Sequence, residues 1–518
     1  MTLKQALERV AWQYRGKAAI AEGDFRLSYA ELDKSSNKIA NALIEMGVVK
    51  GERVAMLLSN SPEFVITFFG IVKTGAIAVP LDPQYRLDEL TVLLNDCAPS
   101  ALIGETAVLE SLVASLPAFK FIKHVIDVGA ERDGQFTSYR QMIASGSNLP
   151  NKVSPTPEDI ALILYTSGPS FSPRGVMLSH RGLVQEAGML GDGFQQTHKD
   201  VVMLYALPMY HVFGLVAVLL AAFVKGCTVV IVPGTGLSIS SFMAAIEREK
   251  GTMFFAVPYI FALAVDIAEK EGIKSDLSSL RLCSSSAHFL PASLNKRFQA
   301  LFGFKILDCF ALTEAVCHVT CPQLDGKGRE GSVGKALPGW EIRIVDDDAM
   351  SVPLNQAGEI VIKGPFMAGY YGNPKATAEV IKNGWLHTGD IGRMDEAGNL
   401  FIIGRKKDII IVKGQNIHPG DVEAVLYQHP DVAEAAVVGI PDEMRGEVVG
   451  AVVSLKPGSR TNESDIKKLC LERLASYKVP KQIIFFDSLP HSADGKIDKA
   501  AVRRKLSLPL SSLRVIIS

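Results

Sequence analysis

VVMLYALPMYHVFGLVAVLLAAFVKGCTVVIVPGTGLSISSFMAAIEREK, residues 201–250, decides the fold class. Val201 to Ala206 is a short β-branched run, Phe213 to Val224 a longer apolar one, Thr228 to Val232 a second short run and Ser240 to Lys250 an amphipathic stretch. Short apolar runs suit strands and longer periodic ones suit helices, so the segment reads as strand, helix, strand, helix. Working outward, Val54 to Leu58 followed by Pro62 to Lys73 repeats the rhythm, and Met253 to Ala256, Arg281 to Ser284 and Lys305 to Phe310 continue it. Repeated units of this kind stack parallel strands beneath helices, which predicts an α/β fold. From Gly331 the texture changes to Gly, Pro and Asp turns between short strands, as in GSVGKALPGWEIRIVDDDAM and GEIVIKGPFMAGYY, which predicts a more antiparallel, β-rich subdomain. A third texture opens at GRKKDIIIVKGQNIHPGDVEAVL. The boundary is placed at Gly404 to Lys407, giving a large domain over 1–404 and a small α+β domain over 405–518, of a size that folds by itself.

A chain of 518 residues, 48% hydrophobic and 21% charged, excludes disordered, collagen-like and disulfide-scaffold classes. Lys and Arg number 54 against 55 Asp and Glu, a net charge of -1, so no global field draws the protein to nucleic acid or anionic lipid. The seven cysteines are odd in number and mostly sit in apolar runs, as expected of reduced thiols acting as small hydrophobes. MTLKQALERVAWQYRG alternates in charge and lacks the pattern of a signal or transit peptide, so a cytoplasmic protein is expected. The most apolar segment, Val212 to Val224, falls short of the roughly 20 residues a bilayer requires and is expected to be a buried helix.

Asp159 to Leu164 reads as a buried strand that runs into Tyr165-Thr166-Ser167-Gly168-Pro169-Ser170-Phe171-Ser172-Pro173-Arg174-Gly175, with a helix after Ser179. Hydroxyls of Thr166, Ser167, Ser170 and Ser172 can donate to phosphate oxygens, Gly168 and Gly175 allow close backbone approach, and Arg174 supplies charge. By itself such a loop reads more readily as a solvated connection.

Other motifs change that balance. PMYHVFG at 208–214, FALTE at 310–314, GEIVIKGPFMAGYYGNP at 358–374, GWLHTGD at 384–390, GRKKDIIIVKGQNIHP at 404–419 and DGKIDK at 494–499 occur in order. Together with the Ser/Gly loop, this set resembles the adenylate-forming superfamily of acyl-CoA synthetases, luciferases and peptide-synthetase adenylation domains. The resemblance implies a small mobile C-terminal domain and an enzyme that joins a carboxylic acid to AMP with release of pyrophosphate. It then implies transfer of the acyl group to coenzyme A, with ATP, Mg²⁺ and CoA as cofactor and substrates.

The resemblance also distributes roles. Glu314 falls where the family places its magnesium-binding carboxylate, and Thr313 beside it where phosphate is contacted. Phe310 takes the place of an aromatic adenine platform, Asp308 can accept from the adenine amino group, and Ser286 and Ala287 belong to the small-residue segment packing on adenine and acyl group. Asp390 is placed to accept from the ribose hydroxyls and Arg405 to reach ribose and phosphate. Lys496 corresponds to the lysine bridging the reacting carboxylate and the α-phosphate. Lys407 falls at the hinge on which the small domain turns, and Lys413 and Gly414 in the segment brought in for the thioester step. His211 lies at the acyl entrance, where it can donate to a carboxylate or act as a gate, although a satisfied core histidine fits the sequence as well. Cys317-His318-Val319-Thr320-Cys321 lacks a fourth ligand at structural-zinc spacing, so no metal is expected there, and the resemblance implies that the segment lines the acyl pocket.

One motif departs from the family pattern Thr-Ser-Gly-Thr-Thr-Gly-x-Pro-Lys-Gly. Pro169 and Ser170 replace the two threonines, Phe171 the second glycine and Arg174 the lysine. Proline removes a backbone donor and phenylalanine resists positive φ, so weak binding on the pyrophosphate side is expected. The function expected is a carboxylic acid–CoA ligase acting on a medium- or long-chain fatty acid, with an aromatic or alicyclic acid as the alternative. A nucleotide- or acyl-binding pseudoenzyme is the non-enzyme alternative. Amino acids are disfavoured because the 208–214 segment offers no Asp to pair an ammonium. Partners are these small molecules alone, with no nucleic acid and no membrane span, and a homodimer is a permitted assembly.

Overall fold

The computed structural model describes residues 1–132, 134–166, 174–232, 238–287, 290–324, 328–412, 415–442, 446–474, 476, 478–491 and 496–506. Among them the parallel units expected from 201–250 form a seven-stranded sheet. Its order is Ile306–Asp308, Leu282–Ser285, Met253–Ala256, Val201–Leu204, Thr228–Ile231, Ala18–Glu22 and Phe25–Ser28, parallel except for the last pair. The second sheet has eight strands centred on Arg53–Leu57, Ile77–Pro80 and Ile160–Thr166, parallel there and through Ala101–Gly104 to Thr137–Ser138.

Helices between the sheets seal the core. Pro62–Lys73 starts with Ser61 accepting from the Phe64 N–H and with Pro62 in the first turn, and all its residues but Glu63 are buried. It passes so close to Tyr29–Glu45 that a Cβ on Gly70 would stand 2.6 Å from Ile39 Cγ2, which makes glycine obligatory there. One cluster of buried side chains draws on both sheets, including Ile20, Val229, Val54 and Leu162. The apolar run after His211 is a buried helix, as expected of a segment without a polar face. Phe213–Leu220 is wound as a π-helix and Ala221–Val224 as an α-helix. Among the described residues no helix is long and apolar enough to cross a membrane.

The change of texture at Gly331 corresponds to an antiparallel sheet of Glu341–Val345, Gly358–Lys363, Trp385–Met394 and Ile381–Lys382, with Leu400–Arg405 beside Trp385–Met394. After Arg405 a separate sheet forms from Gln415–Ile417, Ile410–Val412, Gly446–Leu455, Val432–Asp442 and Gln482–Phe486, with its own buried cluster around Ile417, Val437 and Val453.

One local expectation is corrected. The Ser/Gly loop does not connect a strand to a helix: Arg174–Ser179 is a strand, antiparallel to Ile160–Thr166 and in register Thr166 to Arg174. The segment therefore closes a hairpin. Val176 and Leu178 are buried as core-facing residues, and the helix His180–Gly193 starts only where Ser179 accepts from the Gly182 N–H.

Candidate active site

A cavity of about 1140 Å³ opens where the strands of both parallel sheets end. Thr166 closes Ile160–Thr166, Ala206 follows Val201–Leu204, Val257 follows Met253–Ala256 and Ser286 follows Leu282–Ser285, and all four line it. This crevice beyond the carboxyl ends of strands is where open α/β sheets bind ligands. The cavity brings together Thr166, Arg174, His211, Ser286, Ala287, Thr313, Glu314 and Arg405, and Lys496 joins them from the small domain.

At the hairpin end, Arg174 Cζ lies 5.1 Å from the Tyr370 ring centroid, a cation–π contact that seats the guanidinium beside the loop. The Tyr370 hydroxyl donates to Glu314 Oε1 at 2.9 Å. Burial, with Glu314 close by, raises the phenol above its ordinary range, so it stays a donor. Thr313–Ala315 is a single 3-10 turn, the Met367 N–H donates to the Glu314 carbonyl at 2.8 Å, and Val316 follows at φ +63°. A β-branched residue in that region is strained, so the turn is over-determined by its surroundings. The Glu314 carboxylate facing the cavity is the hard oxygen ligand Mg²⁺ prefers, and the site's chemistry fits that ion.

At the acyl end the chain bends from Leu207 into the π-helix. Asn60 holds the bend, its Nδ2 donating to Leu207 O at 2.8 Å while the Met209 N–H donates to its Oδ1 at 2.7 Å. Gly214 is required, since a Cβ there would lie 2.3 Å from Pro208 O. His211 stands at the mouth, its ring 5.0 Å from that of Tyr210. Gly214 is the last described residue of this helix to line the cavity, and Leu215 to Leu220 beyond it are 0–1% exposed in the core.

At the opposite end, Arg405 Nε meets Asp390 Oδ1 at 3.1 Å across the pair of strands that carries both. Asp390 is 6% exposed and its neighbour Gly389, at φ +72°, lines the cavity. Lys406, next after Leu400–Arg405, is tied to Asp347 at 2.9 Å and Glu359 at 3.3 Å, and Glu359 also accepts from the Gly389 N–H at 3.3 Å.

Several expected residues lie elsewhere. Phe310 is 7% exposed inside the core cluster and does not line the cavity. Asp308 ends its strand beside Ser285, outside the lining, where burial pushes its carboxyl up to about 8. Cys317 to Cys321 are all buried and, contrary to expectation, do not line the acyl end: they pack behind it, with the Cys317 thiol donating to Val212 O at 3.7 Å. Lys407 falls in the 3-10 turn Lys406–Asp408. Ser167, Gly168, Ser170, Lys413 and Gly414 lie outside the described residues, as do Pro169 and Phe171. Sequence reading missed Asn60 outright, and Glu359 and Tyr370 although their motif was quoted; Asn60 carried only the faint signal of a turn residue after a strand.

The AMP-binding enzyme family matches residues 7–371, and the AMP-binding enzyme C-terminal domain matches 421–496. An indoleacetate–CoA ligase of Aromatoleum aromaticum is 36% identical over 97% of this chain and 98% of its own. A crystal structure of the anthranilate CoA ligase AuaEII in complex with anthranoyl-AMP superposes with TM-score 0.91 at 30% identity, covering 99% of this chain and 98% of the other. ATP-bound MatB from Rhodopseudomonas palustris superposes with TM-score 0.89 at 29% identity, over 98% and 99% of the two chains. The motifs, the α/β architecture and a cavity that gathers Thr166, Arg174, Glu314, Arg405 and Lys496 agree with these matches: the chain belongs to the AMP-binding enzyme family.

Proposed function

We propose that this ATP-dependent, AMP-forming acid–CoA ligase acts on a compact, apolar monocarboxylic acid, of which an aromatic acid is the best fit. In the first step a carboxylate oxygen attacks the α-phosphorus of ATP, the bond to the bridging oxygen breaks and pyrophosphate leaves. In the second the CoA sulfur attacks the acyl carbonyl, AMP departs and the thiol proton passes to solvent.

Both approaching groups are anions, so this chain's cations do the work of alignment and charge neutralisation. Lys496 bridges the carboxylate and the α-phosphate, Arg174 and Thr166 meet the outer phosphates, and Arg405 with Asp390 holds the ribose end. Mg²⁺, held through Glu314 with Thr313 alongside, supplies neutralisation of phosphate charge. The division into 1–404 and 405–518 places Lys496 on a lobe that turns at Lys407.

The acyl end carries the substrate reading. Leu207, Val212, Phe213, Val257, Ile260 and Leu312 give it an apolar lining, with His211, Tyr210 and Tyr259 beside them. None of these is acidic, so an ammonium would find no counter-charge among them. Similarity to the indoleacetate and anthranilate ligases supports the same reading. The test is AMP release with ATP, Mg²⁺ and CoA across benzoate-, phenylacetate- and indoleacetate-type acids and C6 to C16 fatty acids. Ring acids should show at least tenfold higher kcat/KM; a preference for C12 to C16 chains overturns the reading, and nucleotide binding without turnover of any acid favours a pseudoenzyme.

A further inference from the structure

Among the described acidic residues outside the cavity Glu186 is the most deeply buried, and it ties its helix to the segments that carry His318 and Trp340. It projects from His180–Gly193 and is 0% exposed. Its Oε1 accepts from the His318 N–H at 2.9 Å and its Oε2 from Trp340 Nε1–H at 3.0 Å. His318 is the partner of Ala311 in an antiparallel bridge, and the Leu312 N–H donates to Cys317 O at 2.9 Å, so these residues are the two arms of the hairpin whose tip is Thr313–Ala315. One helical turn before Glu186 and on the same face, Gly182 looks onto the hairpin: a Cβ there would stand in ordinary van der Waals contact with Val316 Cγ2, at 3.5 Å. The strained Val316 and the backbone of His318 thus both face one side of one helix, which grips His318 through Glu186.

We propose that Glu186 is a positioning residue for the Thr313–Glu314 turn, fixing through its shared carboxyl the hairpin register that aims Glu314 into the cavity. This rests on the reading of Glu314 as the Mg²⁺ ligand. Burial raises the Glu186 carboxyl to about 8, which keeps it out of ordinary surface ion pairing. The strain at Val316 is stored only while something outside the turn over-determines it, and the helix face bearing Gly182 and Glu186 lies against Val316 and accepts from the backbone two residues on, at His318.

The test uses full-length Glu186→Ala, Glu186→Gln and Trp340→Phe, each first checked for native near-UV circular dichroism. Calorimetry then measures Mn²⁺ binding in the presence of a non-hydrolysable ATP analogue, and separately the binding of AMP without metal. Glu186→Ala should weaken Mn²⁺ binding about tenfold while AMP binding changes less than twofold; Trp340→Phe should shift the metal alone by a smaller factor, and Glu186→Gln, which keeps one acceptor, should recover part of the loss. Wild-type Mn²⁺ affinity in a folded Glu186→Ala overturns the proposal, as do equal losses of metal and AMP. If Glu186→Ala does not fold, unchanged Mn²⁺ affinity in both other variants overturns it. A wild-type protein that binds Mn²⁺ and nucleotide but activates no acid defeats the functional reading alone, because the metal shift is read without turnover.

Discussion

The Tyr370 hydroxyl donates to Glu314 Oε1 at 2.9 Å while the face of the same ring carries Arg174, whose Cζ is 5.1 Å from its centroid. One aromatic therefore couples the acidic and the basic side of the phosphate end, and its two functions separate by substitution. Tyr370→Phe keeps the ring beneath Arg174 and removes only the donor to Glu314. A hydrogen bond to a charged group contributes about 1.5–3 kcal/mol, so adenylation should slow by roughly tenfold or more. Tyr370→Ala also unseats Arg174 and should be slower again by several-fold. Pyrophosphate exchange measures both, and equal rates in the two variants would show that the ring face contributes nothing.

Lys496 lines the cavity from within the match to the C-terminal domain, and under the proposed reading its contribution belongs to the orientation in which that part of the chain faces the rest. Lys496→Ala should lose adenylation by a factor on the order of 10² or more, the scale of removing one group that stabilises developing charge. Thioester formation from supplied acyl-adenylate should stay within threefold of wild type. Parallel loss of both half-reactions contradicts the role assigned to this lysine.

The parallel α/β architecture was legible because strands buried on both faces read as continuous β-branched runs, and Val201–Leu204, Thr228–Ile231 and Met253–Ala256 are of that kind. The strand Arg174–Ser179 was not, because its pattern is cut short by Pro173 and a helix follows at once. Side chains that hold the site through distant partners were invisible for a different reason. Asn60 grips Leu207 and Met209 from 147 and 149 positions away, and Glu186 reaches Trp340 across 154, so no local periodicity or spacing records either. Phe310 shows the converse error: an aromatic at a motif position looks like a ligand platform in sequence, yet here it packs within the core.

Asp390 and Arg405 face each other across paired strands, with the acid buried and the guanidinium 57% exposed. An exposed partner contributes little stability, so Asp390→Ala should act mainly on nucleotide binding. KM for ATP should rise about tenfold and KM for the acid less than twofold. A selective rise in the acid KM would place Asp390 away from the ribose.

His180 offers a pH test of stability separate from the site. It is fully buried, Leu3 N–H donates to its Nδ1 at 3.3 Å, and burial lowers its pKa to about 4, against the pull of Asp159 and with the push of Lys50 and the amino terminus. The folded state thus favours the neutral ring, and an unfolded chain with an ordinary histidine pKa near 6.5 binds the proton more readily. The contribution is complete above about pH 6.5 and is lost as pH falls towards 4, on the order of 3 kcal/mol in all. His180→Asn keeps an acceptor for Leu3 but does not titrate. The variant should be less stable than wild type at pH 7.5, with the difference in unfolding free energy shrinking steadily to pH 4.5. A gap that stays constant across that range would mean that this imidazole titrates alike in the folded and unfolded chains.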